Sequence, residues 1–105
     1  MNDYSVELSH AAQSQLKRIR DYIRNELNSP DSANKFLDDT EEAIESLSHF
    51  PYAHMVRPGS KMYFGNEKRQ FFYRKNYCLF YVVMEDRKTV RVIKIVYSHS
   101  DLSNE

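Results

Sequence analysis

Tryptophan is absent from this chain of 105 residues, glycine occurs twice, proline three times and cysteine once. A lone cysteine excludes a disulfide framework, and no Cys/His spacing matches a zinc site. Cys78 lies inside the most apolar run of the chain. It reads as a buried, inert thiol, because reactive thiols need an electropositive, partly exposed setting. No stretch approaches the ~20 apolar residues of a membrane span. The opening residues carry no apolar signal-peptide core, so the expectation is a cytoplasmic protein without a membrane partner. At this length the chain is expected to fold as one domain over residues 1–105, with one core and no room for two.

Net charge is lacking too, at +0, but the balance hides an asymmetry. Residues 1–54 carry five Lys and Arg against ten Asp and Glu; residues 55–105 carry ten against five. The second half is therefore net positive, a composition that suits nucleic acid or an acidic partner segment as well as it suits ordinary solvated charge.

What the chain has in abundance is concentrated between Arg69 and His99, a stretch rich in β-branched and aromatic residues and free of Gly and Pro. Lys75-Asn76 and Glu85-Asp86-Arg87-Lys88-Thr89 break it into three runs. Joined by turns this short, the runs predict an antiparallel meander, since a parallel return needs a dozen or more connecting residues. The middle run alternates Tyr77, Leu79, Tyr81 and Val83 with Cys78, Phe80, Val82 and Met84, so both its faces are apolar. That is the pattern of a central strand covered on both sides.

Upstream, Tyr4, Val6 and Leu8 alternate with polar residues as in a half-buried strand. Ser9 stands as an N-cap before Ala12, Leu16, Ile19, Ile23 and Leu27, an apolar stripe of helical spacing. Asn28-Ser29-Pro30 then punctuates, with Ser29 as a second cap and Pro30 suited to a first turn. A second stripe runs through Ala33, Phe36, Leu37, Thr40, Ile44 and Leu47 and stops before Pro51. So short a link predicts an antiparallel helical hairpin. The acids Asp38, Asp39, Glu41, Glu42 and Glu45 read most simply as the wet face of the second helix, with paired carboxylates for acid–base work as the functional alternative. Pro58-Gly59 marks a turn in the irregular stretch from Tyr52 to Gly65, which its cations make either a solvated connection or one wall of a groove. Residues 98–105 form a short polar tail.

The order β-α-α-β-β-β predicts an α+β fold, with the helical hairpin on one face of a small, mainly antiparallel sheet and an exposed, cationic and aromatic opposite face. This order resembles the RelE/ParE superfamily of bacterial type II toxins. The resemblance is carried by Tyr4-Ser-Val-Glu-Leu-Ser, Ile19-Arg-Asp-Tyr-Ile23, Ile44-Glu-Ser-Leu-Ser-His-Phe-Pro51, Asn76-Tyr-Cys-Leu-Phe-Tyr-Val82 and Val90-Arg-Val-Ile-Lys-Ile-Val-Tyr-Ser-His-Ser-Asp101.

The resemblance implies a growth inhibitor held inactive by a cognate antitoxin, with no cofactor. Its target would be DNA gyrase for the ParE-like kind, or ribosome-bound mRNA for the RelE-like kind. A RelE-like toxin would be a metal-independent endoribonuclease, needing a base, phosphate-binding cations and a proton donor. Arg69 matches one basic position of such members. Phe71 occupies the next, Cys78 stands where a strand Arg is expected, and Ser98 or Ser100 replaces a terminal Arg. Arg69, Arg74, Lys94, Tyr97 and His99 are the candidate catalytic residues of that reading. The depleted set favours the ParE-like kind, and a non-toxic scaffold that only pairs with an antitoxin is the third reading.

Overall fold

The computed structural model describes residues 3–97. Strand β1 (Ser5–Leu8) leads into helix α1 (His10–Asp21), and α2 (Pro30–His49) follows. Strands β2 (Arg69–Tyr73), β3 (Tyr77–Met84) and β4 (Thr89–Tyr97) complete the order expected from the sequence. The sheet runs β1-β4-β3-β2. Both meander pairings are antiparallel, while β1 joins the far edge parallel to β4. The sheet is therefore mixed, because the helical hairpin and the meander together supply the long connection a parallel pair requires.

Local chemistry sets the helix ends. Ser9 is extended at φ −66°, ψ 164°, and its hydroxyl accepts the Ala12 N–H. The same hydroxyl donates to the Ile93 carbonyl at 3.1 Å, so one side chain both caps α1 and ties it to β4. Past Asp21 the helix widens into one π turn, Tyr22–Glu26, in which the Leu27 N–H reaches the Tyr22 carbonyl. Ile23 stays buried, but Leu27, the last residue of the expected stripe, is 42% exposed. The extra residue in the turn carries it off the buried face. Ser29 does precede α2, yet its hydroxyl bonds that of Ser32 at 2.7 Å and caps no backbone N–H.

Ala12, Ile19, Ile23, Ala33, Phe36, Ala43 and Leu47 from the helices meet Leu79, Tyr81, Val83, Val90, Val92 and Ile95 from the sheet in one core. A bulge in β4 makes this possible: Tyr81 opposes Val92 and Phe80 opposes Lys94, leaving Ile93 as the extra residue. Strict alternation through Val90 and Val92 would turn Ile95 and Tyr97 away from the hairpin. With the bulge, Val90, Val92, Ile95 and Tyr97 all pack on the helix side. Gln15 Oε1 on α1 accepts the Ile95 N–H at 2.8 Å, just past this irregularity.

The opposite face departs from the expectation of an open surface. Cys78, Phe80 and Val96 form a second buried cluster there, with Ile93 against it. Cys78 is wholly buried, as expected of an inert thiol. The loop between α2 and β2 lies over this cluster. Arg57 places its guanidinium 5.4 Å from the Phe80 ring centroid, and Tyr63 accepts a hydrogen bond from Arg91 Nε. Val56 bridges to Arg69, and the Gln70 N–H bonds the Met55 carbonyl, so the loop is strapped along β2. Gly59, at φ +74°, takes the positive-φ place of the Pro58-Gly59 turn.

Candidate functional site

Arg69 and Arg74 sit at opposite ends of β2, five positions and roughly 16 Å apart by strand rise. Arg69 Nη1 donates to the His54 carbonyl at 2.7 Å, and its guanidinium lies 5.0 Å from the Tyr52 ring centroid. Tyr52 in turn donates to Glu85. That carboxylate also accepts from Lys88 at 2.7 Å and Tyr4 at 2.8 Å. The bonds from Lys88, Tyr52 and Tyr4 hold the Glu85 carboxyl at about 2, while Glu85 pushes the Tyr52 phenol up to about 12. Arg69 thus belongs to the anchorage that binds the loop to the end of the sheet.

Arg74 lies in the β2–β3 turn at φ 55° and reaches across to α2. Its Nη2 is 3.0 Å from Asp39 Oδ1 and 3.4 Å from Glu42 Oε1. Asp39 is 8% exposed, which corrects the expectation of a wholly wet acidic face. A carboxylate at that depth needs a partner, and Arg74 is it. Beside the pair a groove of about 330 Å³ runs between α2 and β2, lined by Glu42, Ser46, Phe71 and Tyr73 among others.

Tyr97 faces the hairpin and stacks on Tyr77 at 5.4 Å, with Tyr22 at 6.0 Å. Burial and the nearby Tyr22 raise its pKa, keeping the phenol neutral. Lys94 is on the other face, at the bulge. His99, with Ser98 and Ser100, lies outside the described residues. Four of the five cleavage candidates are therefore spread over two faces and two ends of the sheet, and the structure does not bring them together.

What the structure does bring together is a cavity of about 230 Å³ on the loop-covered face. Phe80 and Ile93 line it together with Tyr63, and Arg57, Lys68 and Lys94 supply three cations. Among the described residues lining it there is no histidine and no carboxylate. Its cations over an apolar floor equip it to hold an anionic group. A groove wall is one of the two readings the loop's cations allow, but that Lys94 meets it depends on the bulge and is not visible in the sequence. Sequence reading also missed His54, which stacks on Phe71 at 3.7 Å and 14° and whose pKa is lowered by burial.

A helical hairpin packed on one face of a four-stranded mixed sheet is the α+β fold that this chain shares with chains of solved toxin–antitoxin systems. The chain belongs to the ParE toxin family of type II toxin–antitoxin systems, whose model matches residues 6–102. Among solved structures it is similar to a chain of the chromosomal ParDE system of P. aeruginosa, with a TM-score of 0.72 and 19% identity over 92% of this chain and 98% of that one. It is also similar to a chain of the RelBE2 complex of Mycobacterium tuberculosis, with a TM-score of 0.58 and 19% identity over 90% and 98%. A chain of the intact E. coli RelBE complex gives 0.53 and 18% over 89% and 94%. At these identities the structural likenesses speak for the fold. No curated protein matches the sequence at a significant level. Among the described residues, no helix is long and apolar enough to cross a membrane.

Proposed function

We propose that this toxin arrests growth by binding a protein target, DNA gyrase for the ParE-like kind, and is neutralised by a cognate antitoxin. One observation carries this reading. Arg69 and Arg74, the two arginines of the cleavage set, are each committed to the protein's own architecture at opposite ends of β2. Metal-free cleavage requires base, acid and phosphate-binding cations around one scissile bond, and the dispersal of the described candidates speaks against that arrangement.

The antitoxin is expected to use the side that the loop leaves open. Strand β2 is an edge strand, and among the described residues the loop's backbone bonds to it stop at Gln70. An extended segment can pair along Phe71–Tyr73 and set apolar side chains into the groove beside Asp39 and Arg74. Carboxylates on the segment would complement the positive second half of the chain.

The ribonuclease alternative has one observation in its favour: burial keeps His54 neutral, and its carbonyl is held by Arg69. The deciding experiment assays the purified chain against gyrase supercoiling and, in parallel, against translated mRNA mapped by primer extension. Inhibited supercoiling with intact message supports the proposal. Message cut only in the presence of ribosomes, and lost in His54→Ala, would replace it with the alternative.

A further inference from the structure

Phe64 occupies a position that neither folding nor local conformation explains. Tyr63 and Asn66 exchange both backbone hydrogen bonds, at 2.8 and 2.9 Å, closing a two-residue turn over Phe64 and Gly65. Both turn residues have positive φ, 48° and 81°, as the tight hairpin turn of this hand requires. Gly65 adopts that conformation freely. An aromatic residue does so at a steric cost, and Asn or Gly is the usual occupant.

The side chain recovers little within the fold: Phe64 is 87% exposed, and its aromatic contact among the described residues is edge-on to its neighbour Tyr63 at 4.8 Å. Met62 beside it is 57% exposed. The tip is nevertheless firmly held. Asn66 Nδ2 donates to the Tyr63 and Phe64 carbonyls, and Tyr63 is moored by Arg91, which pairs with Glu7 of β1. A strained conformation retained at an exposed site, with a large apolar side chain presented on a rigid mount, is the build of a preorganised binding anchor.

We propose that Phe64, with Met62, is the anchor that this toxin inserts into its protein target, an inference that rests on the target-binding reading above. The occupant of the tip is an apolar socket on a folded protein, rimmed by carboxylates. The rim follows from charge: Lys61 adjoins the tip, and Arg57, Lys68 and Lys94 line the cavity that Tyr63 closes. Charge alone would suit phosphate as well as carboxylates. The large apolar surface of Phe64 and Met62, 87% and 57% exposed, favours the protein socket, and nucleic-acid binding is an outcome of the test.

The test compares the parent chain with Phe64→Asn and Phe64→Leu. Each is purified from its antitoxin complex and titrated against whichever process the parent arrests, supercoiling or translation. Phe64→Asn suits the turn, so its Tm should equal or exceed the parent's and its antitoxin complex should persist. Its half-inhibitory concentration should rise at least tenfold, with Phe64→Leu falling between. Phe64→Asn inhibiting as well as the parent overturns the anchor, as does a parent that arrests neither process. Loss of arrest with translation as the parent's target upholds the anchor while the gyrase reading fails. Phe64-dependent binding of a 20-base-pair duplex or of RNA, read by fluorescence anisotropy, would overturn the assignment of a protein socket.

Discussion

Arg74 and Asp39 meet across the seam between the β2–β3 turn and α2, Nη2 to Oδ1 at 3.0 Å, with the guanidinium half exposed and the carboxylate 9% exposed. The asymmetry decides the energetics. Arg74 is wet enough to lose little on pairing, whereas among the described residues the cation left to Asp39 without it is Lys35 at 3.9 Å. Arg74→Ala should therefore destabilise by about 1–3 kcal/mol, between the values for exposed and buried pairs. In a domain of this size that is a fall in Tm of roughly 4–8 °C per kcal/mol. Asp39→Asn should cost less, and the double variant should show a coupling of at least about 0.5 kcal/mol in thermal melts.

Glu85 makes acid stability depend on one exposed carboxylate. Its pKa falls from 4.5 to about 2 in the folded chain, chiefly through Lys88, then Tyr52 and Tyr4. A depressed carboxyl contributes stability that is fully present above its unfolded value and is lost as pH falls toward its folded one. The window is therefore pH 4.5 down to 2. Urea midpoints measured across it should fall more steeply for the parent than for Glu85→Gln. Equal slopes would mean that the Glu85 bonds do not persist in solution.

Gln15 answers for the irregularity of β4. Its Oε1 accepts the Ile95 N–H beside the bulge, in a strand that faces the core. Removing that acceptor should cost about 0.5–1.5 kcal/mol, the net worth of a part-buried hydrogen bond. Gln15→Ala should lower Tm accordingly and lose hydrogen-exchange protection at the Ile95 amide. Gln15→Glu, which keeps the acceptor, should retain most of both.

These contacts mark how far the sequence could be read. The Ser9 cap, the stripe through Ala12, Ile19 and Ile23, the stop before Pro51 and the doubly buried middle strand are local patterns, and each was legible. Together with the element order they gave the α+β class. Asp39 was not legible as a buried acid, because its partner lies 35 positions away and on another element. Lys94 and Tyr97 both belong to the candidate set of the ribonuclease reading, and nothing in the local sequence separates them. The bulge at Ile93 decides that Tyr97 joins the hairpin core while Lys94 meets the loop. The loop itself carried only its charges and Pro58-Gly59 as signals, so its strapping along β2 and its covering of Phe80 emerge only in three dimensions.

Cys78 brings the fold and the choice of mechanism to one position. It is wholly buried with Phe80 and Val96 and stands where a RelE-like toxin is expected to carry a strand arginine. Were this face an eroded cleavage site, arginine at 78 would find room and partners there. The structure offers it a packed apolar cluster, in which an unpaired guanidinium would cost about 3–5 kcal/mol. Cys78→Arg should therefore broaden or abolish the cooperative thermal transition without creating message cleavage, whereas Cys78→Ala should melt cooperatively at a moderately lower temperature. The native thiol should also resist a disulfide reagent until the chain unfolds. A well-folded Cys78→Arg chain that cuts mRNA on the ribosome would mean that this face is still a cleavage site. Failure to fold would mean that the position has become part of the core.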